Sequence, residues 1–161
     1  MSSTCLVSVT RIDANEIDST DIANLWSRRW VGVNDYVWLV NPDIFPQLVN
    51  LTIGNWPVYV PAGGYSGAPY ASIYGKPVIE NEYSAALGTS GDIMLASLSQ
   101  YRTITKGGIQ SASSMHVQFL TDEMTYRWVY RIDGQPKWNS ALTPFKGSNT
   151  KSPFVVLTAA T

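Results

Sequence analysis

A chain of 161 residues has room for one core of ordinary size. Charged residues make up only 14% of it, and the net charge of −1 with a pI near 5.7 gives no overall electrostatic footprint for nucleic acid, which argues against a nucleic-acid-binding domain. The single cysteine, Cys5, excludes an intrachain disulfide or a cysteine zinc cage; residues 1–10 lack the charged start and apolar core of a signal peptide, and no run approaches a membrane span, so a soluble chain made in the cytoplasm is predicted.

Residues 5–10, C-L-V-S-V-T, alternate apolar and polar and predict a half-buried strand with no obvious partner. Asp18 is placed to cap a helix beginning near Ser19, with Asp21 in its first turn and Ile22, Leu25, Trp26 and Trp30 at helical spacing. The acidic run Asp13, Asn15, Glu16, Asp18 and Asp21 lacks the glycine and terminal glutamate of a calcium loop, and capping explains it better. Residues 36–40, Y-V-W-L-V, form a continuous apolar run of β-favouring residues and predict a strand covered on both faces. Asn41 or Asp43 then caps a short helix that tolerates Pro42 and Pro46 in its first turn and gathers Phe45, Leu48 and Val49 on one face. Trp26, Trp38 and Leu48 are predicted core residues.

Gly54-Asn55 turns the chain into a short strand at 57–60, whose flanking prolines suit a sheet edge. Residues 61–74 hold three Gly, two Pro, two Ser and three Tyr without periodicity, which predicts a long exposed loop. Residues 75–80 and 92–95 are extended, separated by a turn at 88–91. From Tyr101 the chain becomes β-rich: 101–105, a Lys106-Gly107-Gly108 turn, 109–119, then 124–132 closed by Asp133-Gly134. Alternation places Thr125, Arg127, Val129 and Arg131 on one face, and Met124, Tyr126, Trp128, Tyr130 and Ile132 on the other. Residues 153–157 form a final apolar strand that could return to the first half's sheet.

Candidate chemistry is thin. Gly64-Tyr65-Ser66-Gly67-Ala68 is one residue short of a nucleophile elbow, and Ser66, Asp92 and His116 follow hydrolase order, but no helix-period segment begins after Ser66. His116, the lone histidine, has no companions at ligand spacing and reads as a polar residue on a sheet. Lys76 after Gly75 is no phosphate loop, because Pro77 replaces the Ser or Thr. Arg127 and Arg131 share a face and suit a carboxylate of the same chain or of another subunit. No catalytic, cofactor-binding or metal-binding residue is expected, and no cofactor.

The run 36–51, Y-V-W-L-V-N-P-D-I-F-P-Q-L-V-N-L, resembles the axial domain of tailed-phage major capsid proteins of the HK97-like fold, where a W-L-[VI]-N strand enters a short proline-bearing helix. The resemblance continues through 75–79 (G-K-P-V-I), 87–93 (L-G-T-S-G-D-I), 116–119 (H-V-Q-F), 121–123 (T-D-E) and the arginine-flanked strand 126–131. It covers most of the chain from Asp21 onward; nothing before Asp21 resembles the family's arm, extended loop or spine helix, so the chain reads as the C-terminal part of a capsid subunit.

This resemblance implies an α+β fold: an axial-domain core with a mixed sheet flanked by helices over residues 1–100, completed by 150–161, and a long β-hairpin of the peripheral domain over 101–149. It implies a structural subunit of a phage or prophage shell that acts by self-assembly, with no enzymatic activity. Its partners would be other copies of the subunit, with no sequence-specific nucleic acid and no membrane, and it would be made in the host bacterial cytoplasm and reside in the virion. As an isolated chain it is expected to be a monomer or small oligomer, with apolar area exposed around 101–145 where the spine would pack. An encapsulin-type compartment protein of the same fold is one alternative. A β-rich carbohydrate-binding module using Trp56, Trp128 or Trp138 as a stacking platform is another.

Overall fold

The computed structural model describes residues 4–63 and 69–160, so Ser66 and its elbow-like neighbours lie outside the described residues. The chain divides into two compact units, Met1–Gln100 with Trp138–Thr161, and Tyr101–Lys137. Residues 138–149 therefore pack with the first unit.

In the first unit β1 (Val7–Thr10) leads to α1 (Ser19–Ser27), β2 (Tyr36–Val40), a 3-10 turn at Pro42–Ile44 and α2 (Phe45–Asn50). Short strands β3 (Thr52–Ile53), β4 (Trp56–Pro57), β5 (Tyr59–Val60) and β6 (Ser72–Ile73) follow, then β7 (Lys76–Glu80) and β8 (Ile93–Ser97). The second unit holds β9 (Tyr101–Thr105), β10 (Gln110–Gln118), β11 (Glu123–Val129) and β12 (Ile132–Pro136), and β13 (Phe154–Thr158) returns to the first.

Seven strands form one mixed sheet in the order β1-β13-β8-β2-β7-β6-β5. The apolar run β2 is central, parallel to β7 and antiparallel to β8. Tyr36, Trp38 and Val40 are buried while Val37 and Leu39 are half-buried, so one face of the strand is fully covered and the other partly. The missing partner of β1 is β13, in parallel register from Val7↔Val155 to Thr10↔Thr158. Such a pairing joins opposite ends of the chain, beyond the reach of local pattern.

Asp18 caps α1 in a reciprocal box: its side chain accepts from the helix backbone, and Asp21 accepts in return from the Asp18 backbone N–H. The cap satisfies amide donors that the first turn leaves unpaired, and burial then pushes the Asp21 carboxyl above its ordinary value. The helix buries Ile22 and Leu25 and stops at Ser27, short of Trp30. There Trp30 N–H donates to the Ser152 carbonyl at 3.0 Å and its ring meets Trp138 edge-on, so tertiary pairing overrides the helical spacing. Trp26 is half-buried rather than buried. It covers Trp38, ring centroids 6.3 Å apart, and carries the Arg29 guanidinium 3.9 Å above its own ring.

Asn41 caps the 3-10 turn, its side-chain oxygen accepting from Asp43 N–H at 2.9 Å. Of the predicted α2 face only Leu48 is buried; Phe45 and Val49 are exposed. The predicted strand at 57–60 is split, β4 pairing with β3 and β5 closing one edge of the large sheet. The loop expected over 61–74 ends earlier than its composition suggests, because Ser72 and Ile73 are buried as β6. Tyr74 (φ 50°) and Gly75 (φ 70°) then turn the chain into β7, both left-handed as a two-residue hairpin turn requires. A strand of two residues is too short for alternation to reveal.

Central packing also fixes a titration. Tyr36 donates to the Trp30 carbonyl at 2.7 Å, and burial pushes its phenol up to about 12.

The second unit is one long antiparallel ribbon. β9 pairs with β12 and β10 with β11, and Lys106 N–H donates to the Arg131 carbonyl at 3.1 Å, so Lys106-Gly107-Gly108 does not reverse the chain. Between the pairs Thr105↔Ile132 and Gln110↔Val129 four residues oppose two, an irregularity that Gly107 accommodates at φ 71°. Asp133-Gly134 likewise lies within β12 rather than closing a strand. Gly134 leaves room for the Tyr101 ring, which a Cβ there would approach to 2.5 Å.

Candidate assembly surfaces

Asp92 and Lys76, two of the polar residues weighed for chemistry, are held by structural partners. Asp92 is fully buried and ion-paired with Arg11; it also accepts from Gly88 N–H at 3.0 Å and Ile93 N–H at 2.8 Å, so its carboxylate orients no histidine. His116 is exposed on β10. Lys76 donates to the Asn34 side chain at 2.7 Å. Cys5 is buried with its sulfur 3.7 Å from Ser152 Oγ. No group of three or more metal-ligating side chains occurs among the described residues. Sequence reading missed Arg11 altogether, since a lone arginine after a strand carries no local sign of a partner 81 positions away.

Exposed apolar surface is where the chain is unusual. On the ribbon, alternation in β11 brings Met124, Tyr126 and Trp128 to one face, continued by Tyr130 and Ile132; all five are exposed, Trp128 at 67%. Tyr126 and Trp128 stack at 5.9 Å with their planes 19° apart, and their cross-strand partners are only Ser113 and Ser111. The tip adds Phe119 and Leu120, the latter 98% exposed. A two-stranded ribbon without a covered face is marginal in water, and a continuous apolar stripe marks a contact surface.

Arg127 lies on the opposite face, and Arg131 shares a face with Lys106 and Arg102 through the β9–β12 register. Arg127 and Arg131 are exposed, and the one ion pair among the described residues is Arg11–Asp92. A second apolar feature lies in the first unit, where Ile53, Trp56, Val58 and Tyr74 line a groove of about 400 Å³ with Trp56 79% exposed.

The arrangement can bind surfaces. The sequence profile of the phage capsid family matches residues 8–147. The chain belongs to that family. Its fold is similar to that of a solved chain described as the capsid of an empty GTA particle computed with C5 symmetry, with a TM-score of 0.67 at 10% identity over 97% of this chain. The match takes in 50% of that other chain, so this sequence spans half its length. No curated protein matches the chain. The fold is the mixed α+β, HK97-like architecture that the sequence resemblance implied, in keeping with membership of the phage capsid family. Trp56 and Trp128, two of the tryptophans that a sugar platform would use, are both exposed.

Proposed function

We propose that this capsid subunit acts by self-assembly, its first unit serving as the axial-domain core and its ribbon as the peripheral-domain arm that joins neighbouring copies. The observation that carries this reading is the exposed stripe from Met124 to Ile132, which nothing in the ribbon's own unit covers. Large rigid aromatics centred on an apolar surface are what dominate binding energy at protein interfaces, and closed symmetry repeats each contact many times, so each need only be of ordinary strength. No step in this activity requires a cofactor or a catalytic group.

Sedimentation velocity across a range of concentrations tests the proposal. Tyr126→Ser with Trp128→Ser should weaken self-association by roughly thirtyfold or more, the loss expected for truncating a central aromatic anchor. Both side chains point away from any buried core, so the circular dichroism spectrum should not change. Association unaltered by the double substitution would remove the ribbon from the interface.

A further inference from the structure

The two units carry opposite charge. Arg102, Lys106, Arg127, Arg131 and Lys137 against Asp122, Glu123 and Asp133 leave the ribbon unit at +2, and the remaining six basic and nine acidic residues leave the first unit at −3. On the ribbon, cross-strand register gathers Arg102, Lys106 and Arg131 on one face with Asp133 as the lone acid among them, and sequence alternation from Arg127 to Arg131 extends that face toward the tip.

Within the first unit the charge is itself polarised. β2, β7 and β13 run in one direction and β8 in the other, so residues that follow β2 and β7 emerge at the same end of the sheet. Asp43 follows β2, Glu80 ends β7 and Glu82 comes just after it; all three are exposed and outside any ion pair among the described residues. Arg11, the cation nearest that end, is consumed by Asp92. At the other end Arg28 and Arg29 are held by their own unit, Arg28 donating to Thr150 O and Arg29 to Trp26 O, each at 2.8 Å. Glu80 and Glu82 also flank apolar surface, Ile79 at 44% and Tyr83 at 98% exposure, a matching ground for Ile104 and the planar guanidinium groups of the ribbon face.

We infer that the cationic face of the ribbon docks on the carboxylate end of the first unit's sheet, Asp43, Glu80 and Glu82, of a second copy. This rests on the self-assembly reading above and names the partner surface within it. The aromatic stripe lies on the opposite ribbon face, so the charged contact is made on a separate surface, where it contributes register and encounter rate while the apolar contact supplies affinity. Added salt should weaken it, as it screens any exposed pairing.

Two reversal variants of the full chain test the contact in trans. Glu80→Lys with Glu82→Lys makes both surfaces cationic, and Arg127→Glu with Arg131→Glu makes the reversed ribbon positions acidic, like the sheet end they would meet. Each variant alone should self-associate about tenfold more weakly than the wild type, given the modest worth of exposed pairs and their replacement by repulsion. An equimolar mixture should recover association, since each then meets its complement, and that recovery also shows that both variants fold. Wild-type association with both variants unaffected overturns this contact alone. A wild type that stays monomeric at every concentration overturns the assembly reading and the contact with it. If the ribbon variant instead loses retention of a DNA duplex while its self-association is unchanged, the face serves nucleic acid and the inference fails.

Discussion

Asp92→Ala should lower the stability of the first unit by about 3–5 kcal/mol, the loss typical when one member of a buried ion pair is removed and the other charge is stranded. Arg11 and Asp92 have fully buried side chains, and the pair spans β13, tying the end of β1 to the start of β8. Asp92 also accepts from Gly88 and Ile93 backbone N–H groups, so alanine leaves those donors without their partner as well. Domains of this size have only about 5–15 kcal/mol in total, so urea unfolding should show a midpoint far below that of the wild type. Adding Arg11→Met should recover part of the loss by removing the stranded charge, but not the part owed to the two amides. A change within about 0.5 kcal/mol, the range of ordinary surface substitutions, would show that the pair does not hold these strands together.

Trp38→Ala should cost about 3–5 kcal/mol by emptying the largest fully buried side chain of the central strand. It also removes the indole N–H bond to the Ile73 carbonyl at 3.0 Å, which ties β2 to β6 across the intervening β7, and the platform on which Trp26 stacks. Trp38→Phe keeps most of the apolar volume but not the donor, and its loss should fall between wild type and alanine. Thermal melts of the two variants order these effects; a phenylalanine variant as damaged as alanine would assign the stabilisation to the hydrogen bond rather than to packing.

Much of this architecture is legible in local pattern because it is locally caused. The apolar run at 36–40 reads as a central strand since burial is written into each residue, and Asp18 reads as a cap since the orphan amides it satisfies are its immediate neighbours. What escapes is set at a distance. β6 is two residues long and held by its neighbours, Trp30 leaves the helical path to meet Ser152, and Arg11 finds Asp92 across a whole strand. On the ribbon, alternation sorts the faces of β11, yet Gly107 and Gly134 read as turns in the sequence because glycine marks reversal, bulge and close approach alike. The candidate surface was thus half visible: its aromatic and arginine faces follow from period two, whereas the carboxylate end of the sheet depends on strand direction, which no local pattern carries.

Hydrogen exchange of the wild-type chain, compared between dilute and concentrated solution, tests most directly the claim that copies of this capsid-family subunit assemble through the ribbon. Dilute, the ribbon amides from Tyr101 to Pro136 should exchange fast, since a two-stranded ribbon with an uncovered apolar face opens readily, while β2 and β8 stay protected. Concentrated, protection should rise along β10, β11 and β12 with the central strands unchanged. Ribbon exchange that is equally slow at both concentrations, or that stays fast when the chains have demonstrably associated, would contradict the account.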